Sequence, residues 1–178
     1  PIPFVRLRGH VPPRLRRAGA GFTAAVAAAQ QANAPPRLVI DVPGREVEAG
    51  GERVRLRPSE LAFLAFIARR AHSGAGPVAR GDDAVATEYL AEYLRVVGEL
   101  SAELDRARAA LRHGTDEGWF DSQRSRLNSA LRRELGTDRA SVYQVRGVAG
   151  RRPRTLFGLM LAPEAIHFAP LQQGPNNA

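Results

Sequence analysis

Two consecutive stretches decide how this chain reads: DSQRSRLNSALRRELG over residues 121–136 and YQVRGVAGRRPRTLFGLML over residues 143–161. In the first, Leu127, Leu131 and Leu135 recur every four residues, which places them on one side of a helix turning about 100° per residue. The pattern predicts a helix over residues 120–135 that stops at Gly136. Its opposite side carries Ser122, Ser125, Arg126, Ser129 and Arg133, with Asn128 and Arg132 toward the flank. In the second stretch, β-prone runs at residues 141–145 and 155–161 enclose RGVAGRRPR. That pattern predicts a hairpin whose tip carries Arg146, Arg151, Arg152 and Arg154. A helix that buries leucines and shows small polar residues and arginine, next to an arginine-tipped ribbon, is the pattern of a surface that meets phosphates.

The charge distribution points the same way. The chain has 178 residues and a net charge of +8. Residues 122–154 hold nine Arg against Glu134 and Asp138, a local +7, which leaves +1 for everything else. Residues 80–121 reverse the balance, with ten acids against five Arg. This asymmetry fits a protein with one anion-facing surface, so nucleic acid or another polyanion is the expected partner. All 26 basic residues are Arg, and the total absence of Lys matches the codon bias of a GC-rich genome. Arginine abundance by itself therefore carries no functional weight; its clustering does.

Working outward, residues 1–19 read as a connecting segment, and GFTAAVAAAQQAN at 21–33 reads as a helix ended by Pro35 and Pro36. LVIDV at 38–42 is a buried strand. REVEAGGERVRL then makes a hairpin, with Val47, Val54 and Leu56 alternating with charges around Ala49-Gly50-Gly51. Pro58-Ser59-Glu60 opens the next helix, where Leu61, Phe63, Leu64, Phe66 and Ile67 leave no polar side; this is the expected central helix, ending near Arg69-Arg70. From Asp82-Asp83 to about Arg112 a single long helix is expected. Leu90, Val97, Leu104 and Leu111 fall seven apart, with Tyr93, Leu100 and Ala107 three residues after the first three. Such a stripe packs against the same chain or against a second copy, so a homodimerisation module is one alternative function. Gly98 in its middle implies close packing there.

Several chemistries are excluded or weakly supported. With no Cys there are no disulfides, thiolate metal sites or cysteine nucleophiles, and with no Lys there is no Schiff base or P-loop lysine. His10, His72, His113 and His167 are scattered, so no metal set is expected, and no cofactor motif is present. One catalytic alternative exists. Arg108 and His113 match the R-x(4–6)-H signature of the helical ribonucleases of prokaryotic defence systems, with Arg106 at the longer spacing. There the Arg would stabilise a phosphorane and the His would serve as acid or base. The residue after Arg108 is Ala, where that signature has a polar one.

The order strand, hairpin, core helix, intervening helix, polar-faced helix, basic hairpin resembles a winged helix-turn-helix of the kind found in bacterial response-regulator effector domains. VRLRPSELAFLAFIARRA corresponds to its first helix, DSQRSRLNSALRREL to its recognition helix and YQVRGVAGRRPRTLFGLML to its wing. The difference is a long acidic helical insertion over residues 80–115. The whole run, from IPFVRLRGHVP through LVIDVPGREVEAGGERVRLRPSELAFLAFIARRA to YQVRGVAGRRPRTLFGLMLAPEAIHF, resembles the C-terminal half of a CRISPR-associated family whose members begin with a Rossmann-like CARF domain related to the ring nucleases. The resemblance implies a role in type III CRISPR antiviral signalling. It also implies an upstream CARF domain, a partner of this one, that binds a cyclic oligoadenylate and cleaves it in some members. No residue of that domain is carried over here.

The resulting expectation is an α+β, mostly helical, winged-helix-like domain with an N-terminal β-hairpin, a long inserted helix and a C-terminal β-wing. A linker and helix at 1–36 lead into the domain at 37–169, and residues 170–178 form a disordered tail. The chain begins at Pro1 and reads as a piece of a longer protein. With no signal peptide and no apolar run long enough for a membrane span, a cytoplasmic, non-enzymatic domain is expected. Arg126, Asn128, Arg132 and Arg133 on the helix and Arg151, Arg152 and Arg154 on the wing are its expected polyanion contacts.

Overall fold

The computed structural model describes residues 35–148 and 155–170. The expected helix at 21–33, the tip arginines Arg151, Arg152 and Arg154, and the tail from 171 onward lie outside the described residues. What is described is an α+β fold with two small sheets and five α-helices.

Strand β1 (Leu38–Asp41) is buried on both faces, as its β-branched sequence requires, and pairs antiparallel with β2 (Glu46–Ala49). The two-residue turn between β2 and β3 (Glu52–Val54) has φ of 57° at Gly50 and 77° at Gly51. Positive φ at both central positions matches the right-handed strand twist, and glycine adopts it without steric cost. Helix α1 (Pro58–Ser73) begins where the Glu60 carboxylate accepts a hydrogen bond from the Arg57 amide at 2.8 Å, and stops at Gly74 in the left-handed region. Eight consecutive residues, 61–68, are no more than 2% exposed. With each buried Leu, Ile or Phe contributing about 1.5–3 kcal/mol, this helix is the centre of the core. It touches the helices at Ala84–Val97 and Glu117–Leu135 and the strands at Leu156–Gly158 and Ile166–Phe168.

After the short strand β4 (Val78–Ala79) come α2 (Ala84–Val97) and α3 (Ala102–Ala110). The single long helix expected over 82–112 is therefore broken. Gly98 takes φ 83° and ψ 162°, a combination essentially restricted to glycine, and its amide caps α2 on the Leu94 carbonyl. Among the described residues, nothing beyond its own chain neighbours lies within 4 Å of where a Cβ would be, so Gly98 serves to end a helix and not to admit close packing. Ser101 then caps α3 by accepting from the Glu103 amide. The heptad stripe is divided accordingly: Tyr93, Leu104 and Leu111 are buried in the chain's own core, while Leu100 is fully exposed at the corner. Leu90 and Val97 are partly buried and pack against that same core.

Helix α4 (Glu117–Leu135) is followed by the one-turn helix α5 (Thr137–Ala140). The strand expected at 141–145 is absent; those residues continue in turns, and β5 occupies Arg146–Val148. Tertiary contact explains the difference, because Ala140 and Tyr143 turn inward and Arg139 reaches the β2–β3 turn. Strand β6 (Leu156–Gly158) lies between β4 and β5, giving a three-stranded antiparallel sheet in the order β4-β6-β5. After a 3-10 turn at Pro163–Ala165, β7 (Ile166–Phe168) pairs in parallel with β1. The sequence reading had no strand there. It completes the other sheet in the order β3-β2-β1-β7, so the first and last described strands close the fold together.

Candidate nucleic-acid interface

Helix α4 starts because Asp116 caps it, its carboxylate accepting from the Trp119 amide at 2.5 Å, and Glu117 favours the positive end of the dipole. Its inner side is fixed by Phe120, Leu127, Ala130, Leu131 and Leu135, all buried. Phe120 meets Phe63 of α1 and Phe157 of β6, each with ring centroids 5.3 Å apart. Burial of this side leaves the other outside: Ser125, Arg126, Ser129, Arg132 and Arg133 are all exposed.

The candidate residues divide into distinct roles. Arg132 is oriented by the Ser129 hydroxyl at 3.0 Å, and Arg133 lies beside Glu134 at 3.1 Å in an exposed pair. Among the described residues Arg126 forms no ion pair with a carboxylate, yet its charge reaches Tyr89 on α2. Burial is the main reason the Tyr89 hydroxyl is pushed far above its ordinary value; neighbouring Tyr93 adds to the shift and Arg126 partly offsets it. Asn128 differs from what the sequence implied. Its side-chain amide donates to the Val145 carbonyl at 2.9 Å, and its oxygen accepts from the Val145 amide at 3.0 Å. It is occupied by the protein's own backbone. Arg146, the next residue in the chain, is exposed at the start of β5.

Not every arginine of the basic third is available. Arg139 is buried against Glu52, with only 13% and 6% of the two side chains exposed, and also donates to the Gly50 carbonyl at 3.1 Å. Arg124 lies 4.8 Å from the centroid of the Phe157 ring and pairs with Asp121 at 3.1 Å. Arg80 approaches the same ring at 4.9 Å and the same carboxylate at 3.2 Å. The Arg80 Nε and Asp121 Oδ1 are close enough to attract but too poorly aligned to share a hydrogen bond. These two guanidiniums cover the edge of the core beneath the ribbon. The first turns of α4 are thus acidic, with Asp116, Glu117 and Asp121, and the exposed cations start at Arg126.

For the ribonuclease alternative, Arg108 ends α3 in an exposed pair with Asp105 at 3.6 Å, and His113 is exposed in the turn beyond it. Arg106 donates to the Ala102 carbonyl of its own helix. Both candidate side chains therefore lie on the exposed surface at the end of α3. Among the described residues no cluster of His, Asp and Glu could hold a metal ion, and no helix is long and apolar enough to cross a membrane.

A feature the sequence reading did not contain lies at the far end of α1. Glu92 of α2, with a side chain 3% exposed, accepts from Arg69 at 2.5 and 3.1 Å and from Arg95 at 2.5 Å, while Arg70 pairs with Glu88 at 2.6 Å. The Arg69 guanidinium also stacks 4.2 Å from the Phe168 centroid. Spacing of three residues between Glu92 and Arg95 was a legible signal; the partner 23 residues upstream was not. Comparison of the chain with protein families, with curated proteins and with solved structures returned no match.

Proposed function

We propose that this chain is a winged-helix-type domain that performs no catalysis and binds nucleic acid, with α4 as its recognition helix and the β5–β6 ribbon as its wing. The chain order supports this reading: α1, β4, α2 and α3, then α4, then β5 and β6, with β4 pairing back onto the ribbon. One observation carries it. Arg126, Arg132 and Arg133 stand on the exposed side of α4, none held by a buried carboxylate, with exposed Arg146 on the adjoining strand. Guanidiniums in that setting are free to exchange solvent and counterions for phosphate oxygens. Because Asp116, Glu117 and Asp121 occupy the first turns, the polyanion lies over the C-terminal half of α4 and the ribbon, not over the helix N-terminus. The setting within a type III CRISPR signalling protein, beneath a CARF domain, rests on the sequence resemblance alone.

The test is the salt dependence of binding. Replacing Arg126, Arg132 and Arg133 together by Ala removes up to three phosphate contacts, so the slope of log affinity against log salt should flatten by about 2–3 units. Arg151, Arg152 and Arg154 changed together to Ala should act in the same direction. An unchanged slope in both triple variants refutes the assignment.

A further inference from the structure

Asn128 is a half-buried residue within a 19-residue helix, at a position where Leu, Ala or Arg would each favour the helix more. What it gains there is a two-point bond: its amide satisfies both the carbonyl and the amide of Val145, at 2.9 and 3.0 Å. This is the exchange of hydrogen bonds that a facing strand residue would make, supplied by a side chain. Val145 is fully buried, and the chain leaves it directly into Arg146 and β5. Ring and cation–ring contacts of α4 to Phe157 on the ribbon tolerate sliding. The Asn128 pair is directional at both ends, so it sets where the ribbon starts relative to the helix.

We propose that Asn128 is a positioning residue: it contacts no ligand, and it fixes the offset between the exposed cations of α4 and those of the ribbon so that both meet one polyanion together. The proposal rests on the nucleic-acid reading above. Its consequence depends on the stiffness of the ligand. A duplex holds its phosphates at set spacings and gains only when the two elements are held in register. A single strand adapts to either arrangement, and removing Asn128 removes no charge.

The experiment measures fluorescence anisotropy of a labelled 20-base-pair DNA duplex and of a labelled 20-nucleotide single strand at one fixed salt concentration. The proteins are the wild-type chain, Asn128→Ala, Asn128→Ser, Arg146→Ala and the double variant Asn128→Ala/Arg146→Ala. Asn128→Ala should weaken duplex binding about tenfold and single-strand binding less than twofold, and Arg146→Ala should cost less in the Asn128→Ala background than alone. Should Asn128→Ala fail to fold, Asn128→Ser, which keeps a polar group at the position but is too short to make the two-point bond, carries the comparison and should show the same duplex-selective loss. Equal losses on both probes, or an Arg146→Ala effect independent of Asn128, overturn the positioning role. Wild-type protein that binds neither probe overturns the nucleic-acid reading instead, a result distinct from either.

Discussion

Arg139 and Arg132 lie seven residues apart and carry the same charge, yet the fold uses them in opposite ways. Arg139 is folded inward onto Glu52 and the Gly50 carbonyl, joining the segment after α4 to the β2–β3 turn. Arg132 stands outside, donating to the Ser129 hydroxyl of its own helix. The same division runs through the molecule. Arg69, Arg70 and Arg95 are held by Glu92 and Glu88 at the α1–α2 seam, whereas Arg126, Arg133 and Arg146 meet no buried acid. The lesson is that net positive charge in a chain without lysine does not by itself mark a binding surface. On the proposed reading, what marks one is a cluster of arginines on one face that the carboxylates have not taken.

The largest effect that could break this division is at Arg139. Arg139→Ala leaves the Glu52 carboxylate buried without its guanidinium and the Gly50 carbonyl without that donor, so unfolding in urea should show a loss of about 3–5 kcal/mol. Affinity for nucleic acid per folded molecule should be unchanged. A loss below about 1 kcal/mol would mean that Arg139 is as free as Arg132 and that the two classes are not distinct.

A smaller effect is expected at Glu92. Its guanidinium partners are half-exposed, so water replaces part of what is lost when the charge is removed. Glu92→Gln should cost about 1–3 kcal/mol in urea unfolding, the range for hydrogen bonds to charged groups. It also releases Arg69 and Arg95 at the α1–α2 seam. If the salt slope of nucleic-acid binding steepens in this variant, the seam is part of the interface and the leftover-arginine rule fails; an unchanged slope upholds it.

How much of this was legible beforehand follows from the range of the forces involved. The β2–β3 turn and α1 could be read because Gly50-Gly51 and the all-apolar run at 61–68 act within a few residues. The exposed side of α4 could be read because helical periodicity alone sorts Leu127 from Arg126. The long helix at 82–112 was misread because heptad spacing persists across Gly98 while the backbone does not. Residues 141–145 were misread as a strand because Tyr143 and Ala140 are drawn inward by partners far off in the sequence. Asn128 was assigned to phosphate because its partner, the backbone of Val145, leaves no trace in side-chain chemistry.

Arg126 offers the finest test of the division, because it is exposed and yet felt inside. Burial pushes the Tyr89 hydroxyl up from an ordinary value near 10, so the folded chain keeps a proton that the unfolded chain releases. Tyr93 and Tyr143 shift the same way, again chiefly by burial. With more protons bound in the folded state, stability is fully present below about pH 10 and falls as pH rises beyond it. The share from Tyr89 is about 0.4 kcal/mol at pH 10 and grows by up to about 1.4 kcal/mol for each further pH unit. Tyr89→Phe should remove that share, raising the urea midpoint at pH 10.5 relative to pH 8 when compared with wild type. Arg126 acts only on the folded-state value, which burial already holds far above the unfolded one, so Arg126→Ala should leave the alkaline limb near pH 10.5 unchanged; the unfolded chain sets the loss there. A limb that did respond to Arg126 at that pH would mean that the folded phenol titrates close to its ordinary value, so that the charge on the outer face of α4, and not burial, governs Tyr89 in the core it covers.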